Sequence, residues 1–370
     1  MSRPALGVLL LAAALLPLTC GGSRPRRAAQ RSELFGVNAQ FLSSLPPARW
    51  GPQLEAMERG ELGVVRRDAF WGSVEPRSPT RPGRHVYLWK ATDAMVSALA
   101  RHRLRWYPIV DYSAPWAASR RGDQKSPPSR DADFAAFARA LAVRYGRRGS
   151  LWRLHPDLPA YPVVAYEVWN EPNANQFWRP QTGAPERYAS LYRATRRQIR
   201  SVDPDARVVV GGLTTYEPGS TPVPEFLKRM AARLGGVGAV DAVGLHPYAP
   251  ALGGVLGAIR EVRNSLDGLG GSRVPLDITE IGWSTVKTPE AIRARWLARL
   301  ARDVPRSGCG IEVLLPHAWL TPEVNRANPD DWFGITNQDG SLKPSGRAYL
   351  RTVRAAESRP GGPGDAICRR

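Results

Sequence analysis

The chain is short of the residues that build metal and redox centres: among 370 residues there are three Cys, four Met and five His. Three Cys are too few for a four-Cys zinc site or for the dense disulfide framework of a small secreted domain. The five His (His85, His102, His155, His246, His317) include no His-x-His pair on the first β-rich run, which counts against a metal-dependent hydrolase barrel. No zinc-finger spacing, RNP motif or continuous basic helix is present, so nucleic-acid binding has no motif to rest on. No glycine-rich phosphate loop follows the first strand candidate, which counts against a dinucleotide-binding sheet. The sequence therefore predicts neither a metal nor an organic cofactor.

Lysine is scarce too. The formal net charge is +19, from 52 cations and 33 anions, yet only Lys90, Lys125, Lys228, Lys287 and Lys343 are lysines and the other 47 are Arg. Spread along the chain, they make a basic surface that favours acidic polymers, an acidic polysaccharide among them. Hydrophobic residues make up 43% and charged residues 23%. That is the balance of a globular protein with a sizeable core, and it excludes wholesale disorder or a multi-span membrane protein. The 35 Gly and 34 Pro fall between apolar runs and mark many tight loops.

The one long apolar run is at the start. Residues 5–18 follow Arg3, are too short to span a bilayer comfortably, and have the anatomy of a secretory signal. Cys20 stands where a bacterial lipoprotein signal has its acylated cysteine. Pro17 and Thr19 replace the usual Leu and small residue of such a signal. Export is expected for residues 1–20, ending either in secretion or in a lipid anchor on Cys20 at the cell envelope. Residues 21–32, with Arg24, Arg26, Arg27 and Arg31, read as a flexible tether, and 358–370 as a C-terminal tail.

Between 33 and 357, short β-rich runs alternate with helical patterns. The strand candidates are Leu34–Phe41, Leu62–Ala69, Leu104–Asp111, Val163–Asn170, Arg207–Leu213, Val240–His246, Pro275–Glu280 and Ile311–His317. Helical periodicity fills the gaps, as at 88–103, 132–145, 185–202, 224–234, 289–303 and 344–357, several opened by Pro. Eight such units predict a single-domain α/β (β/α)8 TIM barrel, with a doubly wound open sheet as runner-up. The longest insertion is expected before the fourth strand, around 152–162. Chemistry in a barrel belongs at the C-terminal strand ends. Cys309 precedes the eighth strand at the opposite end, where Cys368 in the tail is within reach; pairing and two free thiols both stay open.

Two strand ends stand out. The fourth closes VVAYEVWNEPN (163–173) and the seventh VPLDITEIGWST (274–285), each placing a glutamate, Glu171 and Glu280, where strand gives way to top loop. Cleaving a glycosidic bond needs two flanking carboxyls, one to protonate the leaving oxygen and one to attack the sugar carbon or activate water. Strands four and seven face each other across a barrel mouth.

On Asn170-Glu171-Pro172 and Thr279-Glu280-Ile281-Gly282-Trp283, the sequence resembles a clan A glycoside hydrolase. The longer Trp169-to-Asn173 run is similar to family 39 and its relatives. The resemblance covers about residues 33–357. It implies that Glu171 is the acid/base and Glu280 the nucleophile of a retaining double displacement on a β-glycoside, with carboxyls about 5–5.5 Å apart. It implies further that Asn170 bonds the sugar 2-hydroxyl, that Arg66 supports the nucleophile, and that Trp319 is an aromatic floor for the sugar. His246 and Tyr248 follow strand six, where either orients a catalytic carboxyl; Tyr248 is favoured for Glu280 and His246 for Glu171. Glu280 is expected to raise the pKa of Glu171 until the nucleophile is esterified. Glu167 is the alternative partner for Arg66. Trp283, with Trp71, Trp116 and Trp178, lies just past a strand end as a further candidate sugar platform. Many clan members place a His at the end of strand three, but this chain has Val110-Asp111-Tyr112, so Asp111 or Tyr112 is expected to take over sugar contacts. The expected partner is thus a polysaccharide or oligosaccharide substrate, acted on by a monomer. A non-catalytic carbohydrate-binding barrel is the alternative.

Overall fold

Each β-rich run does become a strand, and all pair in parallel. The computed structural model describes Met1 and residues 33–81, 83–216, 218–358 and 367–368. The expected export signal (1–20) and tether (21–32) lie outside the described residues apart from Met1, as does most of the tail. The strands are β1 (Gly36–Asn38), β2 (Val64–Phe70), β3 (Arg105–Asp111), β4 (Ala165–Val168), β5 (Arg207–Thr214), β6 (Ala242–His246), β7 (Leu276–Ile281) and β8 (Ile311–Pro316), adjacent in chain order. Bridges Phe35–Leu314 and Asn38–His317 join the first strand to the eighth and close the barrel.

The outer ring is α1 (Trp50–Arg59), α2 (Lys90–Arg101), α3 (Asp131–Tyr145), α4 (Ala184–Arg200), α5 (Val223–Leu234), α6 (Leu252–Gly268), α7 (Glu290–Asp303) and α8 (Pro344–Ser358). Local chemistry sets their ends. α4 opens with Pro185 and Glu186 and closes with Arg197 and Arg200, so fixed φ and both charges suit the helix dipole. α5 stops at Gly235, whose φ of 86° is the left-handed conformation that glycine adopts without strain.

The main apolar core lies between strands and helices. A separate inward cluster (Val64, Tyr107, Ala165, Val209, Ala242, Val313, Leu315) plugs the barrel. Tyr107 Oη and the Arg207 guanidinium both donate to buried Asp277 within the barrel, at 2.7 and 2.8 Å. Cys309 and Cys368 form a disulfide, with Cα atoms 5.0 Å apart. The Cys368 N–H also donates to Ser307 O at 2.7 Å.

Most strand ends move by no more than two residues from expectation, and two differences are larger. β1 stops at Asn38 because Gln40–Ser44 coils into a 3-10 turn, where the Ser43 and Ser44 hydroxyls donate to the carbonyls of Gln40 and Phe41. Such local bonds compete with strand pairing. The longest connection is not the one before β4 but residues 317–343, between β8 and α8. That segment holds one 3-10 turn, Pro329–Trp332, and Pro329, Asp330 and Phe333 line the cavity at the barrel mouth.

Candidate active site

Strand tops bring Asn38, Arg66, His246 and Glu280 around one centre, with Asn170, Glu171, Tyr248 and His317 from the residues just beyond. A cavity of about 600 Å³ opens there, lined among others by Asn170, Glu171, Tyr248, Glu280, Trp283 and His317.

Side chains of a regular strand alternate, so neighbours in sequence face opposite ways. At three places here the alternation is broken. Trp169 and Glu171 hold positive φ (69° and 45°), turning the chain so that Asn170 and Glu171 both line the cavity. The β7–β8 register shifts between Ile278 and Ile281, so Thr279 and Glu280 both reach the buried site. The β5–β6 register shifts between Val210 and Leu213, which brings the Gly212 N–H to Glu167 Oε1 at 2.6 Å. Bulges at a barrel rim re-aim side chains in this way. Positive φ away from glycine is strain that surrounding structure must hold in place.

Glu280 is gripped on both oxygens. Oε1 accepts from Arg66 Nη1 at 2.6 Å and Asn38 Nδ2 at 3.2 Å. Oε2 accepts from the Tyr248 hydroxyl at 2.9 Å and lies 3.8 Å from a ring nitrogen of both His246 and His317. Burial works to raise its pKa, but His246, His317 and Arg66 together outweigh burial and hold the carboxyl well below the usual range. Glu280 is therefore a carboxylate at any pH near neutral. Burial lowers the His317 pKa, only partly offset by Glu280. Burial and then Glu280 push the Tyr248 phenol well up, which keeps it a donor.

Arg66 serves two carboxylates. Its Nε and Nη2 fork onto Glu167 at 2.6 and 3.1 Å, and Nη2 also donates to Asn170 Oδ1 at 2.9 Å. Both Nη2 protons are thus committed, leaving none for His246 Nε2, 3.5 Å away. The Thr279 hydroxyl donates to Glu167 Oε1 at 3.1 Å and approaches His246 Nε2 at the same distance. With its proton on Glu167, that oxygen can only accept from the ring, which fixes the hydrogen on Nε2. Its other nitrogen, Nδ1, lies 2.7 Å from Glu171 Oε1.

Glu171, His246 and Glu280 each offer a ligand atom within 4.8 Å of the others, the spacing of a small cation site. Arg66 argues against one. Its fixed positive charge already bonds Glu280, and a divalent ion there would meet it at close range.

Trp319 does not fit the role expected of it. The ring is 0% exposed, and its indole N–H donates to Gln53 Oε1 at 2.7 Å, so no face is free for a sugar. Trp71 and Trp178 are likewise wholly buried, and Trp116 donates to the Glu75 carbonyl. Trp283 lines the cavity, its N–H tied to Ala249 O at 2.9 Å. Asp111 is buried at the end of β3, whereas Tyr112 lines the cavity. The sequence reading missed Asn38, Thr279, His317 and Phe333, whose ring lines the cavity against Tyr248 and His317. Asn38 and His317 lie at strand ends, a signal that was available; Phe333 comes from the long connection after β8 and carried none.

The fold and site define a (β/α)8 barrel with two carboxyls converging at the C-terminal mouth. No family model matches the chain. A β-xylosidase of Geobacillus stearothermophilus is 36% identical over 83 residues, 22% of this chain and 15% of that protein. Among solved structures, a monomeric β-xylosidase from Caulobacter crescentus CB15 aligns with a TM-score of 0.61 at 21% identity, covering 86% of this chain and 67% of the other. A family 39 glycoside hydrolase from Bacteroides cellulosilyticus WH2 aligns at 0.64 and 19%, covering 89% and 64%. The barrel is thus a fold that this chain shares with family 39 glycoside hydrolases, as the clan A motifs implied.

Proposed function

We propose that the protein is an exported, retaining β-glycoside hydrolase with Glu171 as acid/base and Glu280 as nucleophile. One observation carries this: the two carboxyls approach within 4.8 Å around His246, one of them held ionised by Arg66 and the other hydrogen-bonded to the imidazole Nδ1. Inverting enzymes need roughly 6.5–9.5 Å to admit a water between the carboxyls, and retaining ones only about 5–5.5 Å. The similarity to β-xylosidases makes β-xylosides the first substrates to try.

In the first step Glu171 protonates the leaving oxygen while Glu280 attacks the sugar carbon. That bond to the leaving group breaks as the glycosyl ester forms. In the second step Glu171 takes a proton from water, which attacks the same carbon and releases Glu280. Arg66, Asn38 and Tyr248 hold the nucleophile in line, and Asn170, itself fixed by Arg66, faces the sugar 2-hydroxyl. Nδ1 of His246, hydrogen-bonded to Glu171, orients its carboxyl.

Hydrolysis of aryl β-xylosides and a panel of other aryl β-glycosides tests the activity. Glu171→Gln and Glu280→Gln should each lower kcat/KM by a factor on the order of 10²–10⁴ or more. A 2-fluoroglycoside should label Glu280, and NMR should find the product anomer retained. Labelling elsewhere, or an inverted anomer, removes the assignment. Glycan binding without turnover would support a non-catalytic carbohydrate-binding barrel instead.

Export rests on residues 1–20, with secretion or a lipid on Cys20 as its two forms; the N-terminus of the protein recovered from cells decides between them. The charge of +19 supports acidic polysaccharides as substrates to include.

A further inference from the structure

A second cavity, of about 1000 Å³, lies over the ends of β1, β2 and β3 beside the catalytic one, and the two share Gln40, Phe41 and Tyr112 as walls. Three features in it have no part in the chemistry above. Phe70, the last residue of β2, is 44% exposed within this cavity, its ring centroid 6.2 Å from that of Tyr112. An exposed phenyl ring at a strand end is a ready platform for the apolar C–H face of a sugar. The Lys125 ammonium lies 3.0 Å from the Tyr112 ring centroid, on the cavity wall. Asp68 also lines the cavity, and behind it is Asp111, fully buried, whose two oxygens meet no donor group among the described residues. The carboxyl against Asp111 is that of Asp68.

Two carboxyls in contact share a proton, because both cannot ionise side by side. Burial, and then Asp68, push Asp111 well above the usual carboxylate range. Burial lowers Lys125 to about 8, against the pull of Asp111 and Asp68, so its ammonium stays charged at neutral pH. A shared proton, carboxylate acceptors and an ammonium donor next to an open aromatic face match the alternating donors and acceptors of neighbouring hydroxyls on a pyranose.

We propose that this second cavity is a sugar-binding subsite adjoining the catalytic one, with Phe70 as stacking platform and Asp68, backed by Asp111, and Lys125 as the groups that bond sugar hydroxyls. The substrate is accordingly an oligosaccharide chain rather than a lone terminal sugar. This rests on the glycosidase reading, so the test separates the two claims.

The experiment measures kcat/KM against chain length, from disaccharide to tetrasaccharide, in the xylo-, manno- and cello-oligosaccharide series. In the series that is cleaved, kcat/KM should rise about ten-fold or more with length, which is about 1.4 kcal/mol. Phe70→Ala should bring the tetrasaccharide-to-disaccharide ratio close to one, Phe70→Trp should keep it, and Lys125→Met should reduce it. A flat wild-type profile, or a ratio that Phe70→Ala leaves untouched, overturns the subsite while leaving the glycosidase reading standing. If no series is cleaved, calorimetric titration with the three tetrasaccharides decides. Binding that Phe70→Ala weakens about ten-fold supports the subsite although the glycosidase reading fails. No binding of any tetrasaccharide overturns the subsite as well.

Discussion

Gly212 lies directly against the imidazole of His246: a Cβ added to this glycine would occupy the position of the ring itself, with Nε2 its nearest atom. The same residue donates its backbone N–H to Glu167. One glycine on β5 therefore makes room for the ring that bonds Glu171 and also anchors the carboxylate that holds Arg66. Its φ is ordinary, so the requirement here is for space.

Gly212→Ala should displace His246 and loosen the Glu167 anchor together. Misplacing a positioning group by about 1 Å costs on the order of 10² in rate, and overpacking costs about 1–3 kcal/mol of stability. Activity on aryl β-glycosides and the thermal midpoint should both fall. Gly238→Ala, whose Cβ meets nothing within 4 Å, serves as the control and should change neither. Full activity in Gly212→Ala would remove His246 from its assigned role.

Thr279→Val keeps the shape of the side chain and removes its oxygen. The His246 Nε2–H then loses its acceptor and Glu167 loses one donor, each a buried group left short of a partner at about 1–3 kcal/mol. With Nε2 no longer held, the ring is free to shift its hydrogen between the two nitrogens, which unsettles the bond from Nδ1 to Glu171. We expect kcat to fall more than KM changes, with a shift in the limb of the pH–kcat/KM profile that reports the acid. Thr279→Ser should restore both. A purely structural Thr279 would lower the melting temperature and leave the profile in place.

Asp111→Asn should stabilise the protein, and more so as pH rises. Asp111 keeps its proton in the folded state well above the pH at which it ionises in the unfolded chain. Above roughly pH 4 the unfolded state therefore binds fewer protons at this position, and its contribution to stability falls as pH rises toward the folded pKa. Asn cannot ionise, so that loss disappears. Urea unfolding of wild type and variant at pH 4 and pH 7.5 checks the sign: the two should lie closer at pH 4, with the variant ahead at pH 7.5. A variant that loses ground as pH rises contradicts the shared-proton pair.

Cys309 and Cys368 close a loop with a sequence separation of 59, tying the end of the chain to the bottom of β8. Cys309→Ser should cost about 2–4 kcal/mol of stability. In the unfolded, unreduced protein neither Cys309 nor Cys368 should react with a thiol reagent, and both should after reduction.

Much of this architecture was legible in the chain. The alternation of β-rich and helical runs is a local property, written by apolar spacing and by Pro and Gly at helix ends, and it sufficed for eight units and for the strand tops where Glu171 and Glu280 stand. Arg66 and Tyr248 could be named because the resemblance to clan A glycoside hydrolases implied a role at their positions. What the chain could not declare is which neighbours share a face. Asn170 with Glu171, and Thr279 with Glu280, share one only because bulges and left-handed residues break the two-residue period, and those depend on the adjoining strand and on glycines such as Gly212. Trp319 shows the same limit from the other side: its place after β8 suggested a sugar floor, but barrel closure put Gln53 of α1 against its indole. Composition and period fix the strands because they act over a few residues; the distance between two carboxyls depends on how eight strands close, and only the folded barrel sets it.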